Sequence, residues 1–233
     1  MSRLLLAALI AVSAPAAAAD RTVGIGTFDR LRIDGAFDVR ITTGKSPRAA
    51  LSGDAKALDW VDLKVEGTTL HLRRRSLDSA SARAATGPVS VTLAAPTLVS
   101  AAMLGGGKLA VTRMRGARAD LSVAGAGTIT VDAVDAERAN ASIVGSGSIT
   151  LGGRATYLRL STNGSGTIDA AKLVADDLQV RLDGPGETLA DARYLASITA
   201  TGLGRIVVTG NAKCTVRAPS ADIVTCGANQ AGR

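Results

Sequence analysis

The sequence contains few residues that could form a metal centre or an aromatic core. It holds one histidine, two cysteines and only five aromatic residues among 233. A centre of several histidines and a zinc site made of cysteines alone are therefore both excluded. Hydrophobic residues nevertheless make up 46% of the chain, which argues against global disorder. The core must be built from valine, isoleucine, leucine and alanine.

Long hydrophobic runs are also scarce. The run at residues 4–12 has nine apolar residues, whereas a membrane span needs about 20. This run follows Arg3 and precedes Ala17-x-Ala19 before Asp20, the pattern of a cleaved secretory signal. A mitochondrial presequence would contain several arginines instead. We therefore predict a signal peptide at residues 1–19 and no transmembrane span, with export to the periplasm, the cell surface or the medium.

The two cysteines, Cys214 and Cys226, both lie beyond this predicted signal. In an oxidising compartment, pairing is the expected state of two such cysteines. Their spacing lacks the C-x-x-C pattern of a redox pair. We predict a Cys214–Cys226 disulfide that clasps a C-terminal cap and tail at residues 211–233 and contributes roughly 3 kcal/mol.

A glycine repeat dominates the second half of the chain. Gly-x-Gly recurs at Gly105 and Gly107, Gly125 and Gly127, Gly145 and Gly147, Gly164 and Gly166, Gly184 and Gly186, and Gly202 and Gly204. The first glycines are separated by 20, 20, 19, 20 and 18 residues. Fixed periods of this length are typical of solenoids, in which each repeat is one coil stacked on the last. A phosphate-binding loop would need a third glycine and a following helix.

Hydrophobic residues flank each glycine pair at spacings of two, which predicts strands with one face inward. Glycine is expected at corners where the chain bends or where side chains of adjacent coils would collide. Stacked coils pair in parallel at about 4.8 Å per layer. The sequence thus predicts an all-β fold, a single parallel β-helix or β-solenoid of about six coils at residues 99–210.

Residues 20–98 have a different pattern and are predicted to form an N-terminal β cap with the first strands of the solenoid. Residues 61–66 and 69–72 alternate as an amphipathic hairpin around Gly67, and Asp54 could cap one helical turn. Val89, Val91 and Leu93 make a strand that ends at Pro96. We expect the later strands of this cap to lead into the coils.

These motifs together resemble a known family. The opening FDRLRIDGAFDVRITTG (residues 28–44), the hairpin VEGTTLHL and the Gly-x-Gly coils are similar to the head GIN domain of putative autotransporter adhesins. The resemblance extends over residues 28–208. It implies an exported bacterial β-solenoid and suggests an adhesive role, and it brings no catalytic residues with it.

Outward positions are the candidates for function. The middle coils are predicted to present Ser and Thr on one flat face, namely Thr128, Thr130, Ser148, Thr150, Thr167 and Asp169. Small hydroxyl residues could serve only to keep a tightly stacked sheet soluble. Alternatively, the face could dock a glycan or another copy of the protein. An ice-binding face is disfavoured because the pattern fails at Glu187 and Leu189.

Carboxylates offer an enzyme hypothesis, because some β-helices cleave acidic polysaccharides. Asp169, Asp183 and Glu187, with Arg181 and Arg205 nearby, could include an acid and a base for a hydrolase or lyase. An open face without an aromatic platform for a sugar argues against it, and surface ion pairs explain these residues adequately.

The net charge of +7 raises the question of an anionic partner. Basic residues cluster at Arg73–Arg75, expected as a solvated loop, and at Arg113, Arg115 and Arg118. Export and the lack of stacking aromatics argue against nucleic acid, which leaves anionic envelope polymers or lipid phosphates. We therefore predict a non-enzymatic, adhesin-like binding or structural module of the cell envelope that needs no cofactor. The alternative is a polysaccharide-acting enzyme on the same scaffold.

Overall fold

The computed structural model describes residues 19–75 and 88–227. Apart from Ala19, the predicted signal peptide lies outside the described residues, as does the end of the tail at 228–233. The strands are β1 (Ala19–Val23), β2 (Arg30–Asp34), β3 (Phe37–Thr43), β4 (Arg48–Gly53), β5 (Val61–Glu66), β6 (Thr69–Arg74), β7 (Val89–Ala95), β8 (Ser100–Gly105), β9 (Gly107–Gly125), β10 (Thr128–Gly145), β11 (Ser148–Asn163), β12 (Thr167–Asp183), β13 (Glu187–Ala200), β14 (Arg205–Thr209), β15 (Lys213–Arg217) and β16 (Val224–Cys226). One helix, α1 (Ala55–Asp59), and a 3-10 turn (Ala221–Ile223) accompany them.

The long strands β9 to β13 each form most of one coil of a solenoid. In β10, residues 128–131 pair in parallel with residues 108–111 of β9, and residues 138–144 pair with residues 118–124. The same two stretches pair with β11 on the other side. A short third side between them buries Val134 and Ala136. The prediction of an all-β parallel solenoid of about six coils is confirmed.

Two walls of this solenoid matter for function. Wall A consists of the stretches that follow the glycines and runs in the order β1-β4-β7-β3-β9-β10-β11-β12-β13-β14-β16. Wall B consists of the stretches that precede them; it begins with β5, β6, β2 and β8, continues through the second halves of β9 to β13 and ends at β15. Aliphatic side chains stack between the walls, as Ile129, Ile149 and Ile168 do with 0% exposure. Each such burial stabilises the fold by about 2 kcal/mol.

The first layer of the solenoid comes from the start of the chain. β2 pairs in parallel with β8, and β3 pairs in parallel with β9. Gly35, at φ +121°, therefore occupies the corner directly below Gly105. Along the chain, the last strand of the cap, β7, is followed by β8. The layer directly below β8 and β9 is formed by the earlier strands β2 and β3, because their Gly-x-Phe corner has the same register as a Gly-x-Gly corner.

The segment between β3 and β8 extends both walls and closes the end of the solenoid. The predicted hairpin is present as antiparallel β5 and β6, and the predicted strand is β7. The Asp54 carboxylate caps α1 by accepting hydrogen bonds from the amides of Lys56 and Ala57. Because α1 connects β4 of wall A with β5 of wall B, it crosses the end of the core, where it buries Ala57 and Leu58.

The other end is closed by the disulfide. Cys214 and Cys226 are bonded, as predicted, with their Cα atoms 6.4 Å apart. Cys214 lies on β15 in register with Ala196 of wall B, and Cys226 lies on β16 in register with Val208 of wall A. The bond therefore joins the two walls across the last layer of the core.

Candidate binding face

Wall A presents two straight rows of side chains on its outer surface. The rows are Lys108, Thr128, Ser148, Thr167, Glu187 and Arg205, and Ala110, Thr130, Thr150, Asp169, Leu189 and Val207. We call their central part the hydroxyl face, which consists of Thr128, Thr130, Ser148, Thr150, Thr167 and Asp169. The structure thus brings all six sequence-predicted residues together on three neighbouring coils.

The hydroxyl face is flat and tightly packed. Its six side chains are half-buried, because neighbouring coils about 4.8 Å away cover their flanks. The Ser148 hydroxyl donates to the Thr128 hydroxyl at 3.0 Å, and the Asp169 carboxylate accepts from the amide of Ala171 at 3.1 Å. A hydroxyl can both donate and accept. The face therefore offers a regular array of hydrogen-bonding groups with a single charge at one edge.

The array is short in the direction of stacking. Lys108 and Ala110 lie on the coil below it, and Glu187 and Leu189 lie on the coil above. Charges and an aliphatic side chain therefore interrupt the hydroxyl pattern after three coils.

The corner glycines position this face. The first glycine of the corners up to Gly184 has a positive φ, for example +120° at Gly125 and +127° at Gly184. From Gly127 onward, the second glycine faces the core instead: a Cβ at Gly166 would lie 2.6 Å from Cγ2 of Ile143 on the coil below. Because the glycines have no side chains, the chain can turn at these corners and adjacent coils can stack in direct contact.

The three candidate catalytic carboxylates do not all lie on one wall. Asp183 ends β12 on wall B, whereas Glu187 begins β13 on wall A beyond the intervening corner. The Asp183 carboxylate accepts hydrogen bonds from the Thr201 hydroxyl at 2.5 Å and from Arg181 at 2.8 Å. These bonds hold the pKa of Asp183 below its usual range. An aspartate that stays ionised cannot act as a general acid near neutral pH, so nothing in this geometry favours the enzyme alternative.

Ion pairs with aspartates neutralise several of the arginines in the predicted basic clusters. Arg73 pairs with Asp62 at 2.8 Å, and Arg118 pairs with Asp120 at 2.6 Å. Asp135 lies between Arg115 and Arg154, and the hydrogen bond from Arg154, followed by that from Arg115, lowers the pKa of this aspartate.

The expectation of a basic loop at residues 73–75 was wrong for its first two residues. Arg73 and Arg74 belong to β6, because this strand continues for two residues beyond Leu72, its last hydrophobic residue. The guanidinium of Arg74 lies 5.5 Å from the ring centre of Phe37.

Neither a metal centre nor a membrane helix is found in the described part of the chain. Within residues 19–75 and 88–227, no group of three His, Cys, Asp or Glu side chains could hold a metal ion. No helix within those ranges has the length and hydrophobicity to span a bilayer.

Wall B carries a cluster that the sequence patterns did not single out. Two outer rows pass through it, one with Arg138, Tyr157 and Asp177 and the other with Asn140, Arg159 and Gln179. We call these six residues the tyrosine cluster. They line a groove of about 290 Å³. The signal that could have found it is an exposed aromatic ring at an outward offset in a sequence with very few rings.

Comparison with known proteins assigns the fold to a family. The family model described as "Putative auto-transporter adhesin, head GIN domain" matches residues 27–212. The chain belongs to this family. The resemblance noted in the sequence is thereby confirmed. It extends over both walls and over the N-terminal cap that closes one end of the solenoid. A search of the curated proteins found no match.

Several solved structures share the fold. A putative adhesin from Bacteroides fragilis NCTC 9343 has a TM-score of 0.77 and 19% identity, with 91% of this chain and 96% of that chain covered. A putative lipid binding protein from Parabacteroides distasonis ATCC 8503 has a TM-score of 0.70 and 17% identity, with 90% and 96% covered. At these identities the likeness shows the architecture alone. The names of these proteins are those of adhesins or lipid-binding proteins and not of enzymes.

Proposed function

We propose that this GIN domain protein is an exported, non-enzymatic binding module of the cell envelope, and that its hydroxyl face docks an envelope glycan. The observation that supports the proposal is the register of Thr128, Ser148 and Thr167 in one row and Thr130 and Thr150 in the next. Membership of an adhesin family is in line with such a role.

The physical argument rests on rigidity and low cost of desolvation. A stacked sheet holds its hydroxyls at spacings of about 4.8 Å between coils and about 7 Å along a strand. Short Ser and Thr side chains lose little rotamer entropy when they bind. Neutral hydroxyls also cost less to desolvate than charges do. The hydroxyl face is therefore better suited to the many hydroxyls of a glycan than to a strongly charged partner.

A triple substitution tests the hydroxyl face directly. In Thr128→Lys, Ser148→Lys and Thr167→Lys combined, three long charged side chains would cover the first row, and we expect binding to isolated envelope glycans to be lost. The matched control is Ser122→Lys, Ser142→Lys and Ser161→Lys, which places three lysines in one outward row of wall B. Both variants should keep the melting temperature of the parent protein.

Three outcomes would contradict the proposal. Unchanged glycan binding by the wall A variant would show that the hydroxyl face is not the docking surface. Release of soluble products from a polysaccharide would support the enzyme alternative instead. A dimer that only the wall A lysines dissociate would assign the face to a second copy of the chain, which light scattering detects.

A further inference from the structure

The tyrosine cluster lies on wall B, so it is separate from the hydroxyl face. Its Tyr157 is 50% exposed, although the sequence has only five aromatic residues. Phe28 and Phe37, in contrast, are fully buried in the first layer. An exposed ring in the middle of a wall contributes little to folding, and aromatic rings commonly serve as contact surfaces for ligands.

The charges around this ring differ from those on the rest of wall B. Elsewhere on wall B, an arginine pairs with the aspartate two residues later, as in Arg118–Asp120 at 2.6 Å, Arg181–Asp183 at 2.8 Å and Arg32–Asp34 at 3.2 Å. In the tyrosine cluster, the residue two positions after Arg138 is Asn140, and the residue two positions after Arg159 is Ser161. Neither guanidinium has an ion pair within the described ranges of the chain.

The two arginines have different surroundings. The guanidinium of Arg138 lies 5.8 Å from the ring centre of Tyr157, in a cation–π contact. Arg159 stands in the adjacent row, between Asn140 and Gln179. The Asn140 amide donates to Asp120 at 2.6 Å, which leaves its oxygen to accept. Arg159 is therefore a cation flanked by amides, and no carboxylate in the described part of the chain forms an ion pair with it.

The six residues occupy an area that suits a sugar. The three coils of the cluster span about 10 Å in the stacking direction, and the two outward positions on each strand lie about 7 Å apart. The groove volume of about 290 Å³ is close to the lower end of small-ligand sites. Two guanidiniums and one carboxylate give the cluster a net charge of +1. Asp177 would accept hydrogen bonds from sugar hydroxyls, and it would repel a ligand that presents only negative charge.

We infer that the tyrosine cluster binds one acidic sugar of a saccharide chain. The Tyr157 ring supports the apolar face of the sugar, and Arg159 holds its carboxylate or sulfate by charge-assisted hydrogen bonds. Asp177 and the amides of Asn140 and Gln179 contact the hydroxyls. The opposite charges of Arg159 and Asp177 thus select a ligand that is both anionic and rich in hydroxyl donors.

The test uses the mature protein and an array of uronate, sialylated and sulfated oligosaccharides, each beside its neutral parent. We expect the protein to bind acidic members and not their neutral parents. Tyr157→Ala should weaken binding by up to about tenfold, and Arg159→Gln by about tenfold or more. Tyr157→Phe should retain binding, because it keeps the ring.

Matched controls separate a site from general charge. Arg32→Gln removes one charge from the same wall, and Tyr194→Ala removes the other exposed tyrosine ring. Neither should change binding. Equal losses in Arg32→Gln and Arg159→Gln would overturn the inference, as would equal binding of neutral parents or binding of no acidic member. Competition by phosphatidylglycerol vesicles at the cluster would assign it to a lipid surface and also overturn it.

The two proposals fail separately because the variants lie on different walls. Loss of saccharide binding with the wall A lysines but not with Tyr157→Ala would support the hydroxyl face and reject the tyrosine cluster. The reverse pattern would reject the hydroxyl face and support the cluster.

Discussion

At the first glycine of a corner, the backbone conformation and the spacing of the coils both disfavour a side chain. Gly125 has φ +120°, a region that L-residues with a Cβ rarely adopt. A Cβ at Gly125 would also lie 2.6 Å from the carbonyl oxygen of Gly105 on the coil below. Backbone atoms of a packed coil cannot move aside as the end of a flexible side chain can.

Gly125→Ala should therefore lower the free energy of unfolding by about 3 kcal/mol, the sum of backbone strain and interlayer clash. Gly116→Ala is the matched control, because Gly116 also has a positive φ, +145°, but a Cβ there would meet nothing within 4 Å. It should cost only about 1 kcal/mol of backbone strain. Urea unfolding measures both, and equal losses would show that the interlayer contact contributes nothing.

The C-terminal strands are the least extensive elements of the solenoid. β16 pairs with β14 at three positions, and Val216 of β15 is 43% exposed although it is in register with the buried Ile198. Within residues 19–75 and 88–227, no further coil lies above this last layer. Its two strands are held to each other across the core by the Cys214–Cys226 bond.

Replacing both cysteines by serine should lower the free energy of unfolding by roughly 3 kcal/mol, because the bond no longer restricts the unfolded chain. In a solenoid, the loss should be felt first in the nearest layers. Hydrogen exchange should accelerate at residues 206–208 while residues 129–131 of β10 stay protected. The parent protein in reductant is the control and should behave in the same way. Uniform acceleration along the chain would contradict local fraying.

At the scale of the whole molecule, surface carboxylates couple stability to pH. Hydrogen bonds lower the pKa of Asp135 and Asp183; the main donor is the Arg154 guanidinium in the first case and the Thr201 hydroxyl, followed by Arg181, in the second. A lowered pKa in the folded state means that the stabilisation is complete above the unfolded pKa of about 4. It is lost as the pH falls through the lower folded value.

The melting temperature should therefore fall as the pH decreases from 5 to about 2, in a window set by these two aspartates among others. In the double variant Asp135→Asn and Asp183→Asn, the melting temperature should depend less steeply on pH over that window, because two titrating groups are removed. Exposure of these groups to solvent keeps the effect small. Calorimetry at several pH values measures it, and an unchanged slope would contradict the assigned pairs.

Elements with a strong local signal were predictable from the sequence. The β5–β6 hairpin, the Asp54 cap and the strand β7 follow from alternation and turn chemistry within about ten residues of chain. The layer formed by β2 and β3 could not be assigned in this way. It stacks below β8 and β9 across an intervening segment of more than fifty residues, and only the paired registers reveal it.

The hydroxyl face was predictable because similar residues recur three and five positions after the first glycine of each corner, and an equal offset means an equal position on the wall. The tyrosine cluster also lies at equal offsets, seven and five positions before the first glycine, but its residues differ in type from coil to coil. No repeated residue pattern therefore marks it. The sequence places Arg118 two residues before Asp120, but only the structure shows that their side chains form an ion pair.

The amino-acid sequence alone determined the winding of the chain, the inward residues and the closing disulfide, because each depends on a period or a pairing that is local or strictly repeated. The tertiary structure decided which coils lie under which, which arginines have a carboxylate partner and which outer side chains are neighbours. The physical reason is that stacking joins residues about 20 positions apart in the sequence at about 4.8 Å in space. The core pattern is readable because aliphatic residues recur at fixed offsets from the glycines, whereas the outer residues vary in type and their contacts are defined only once the coils are stacked.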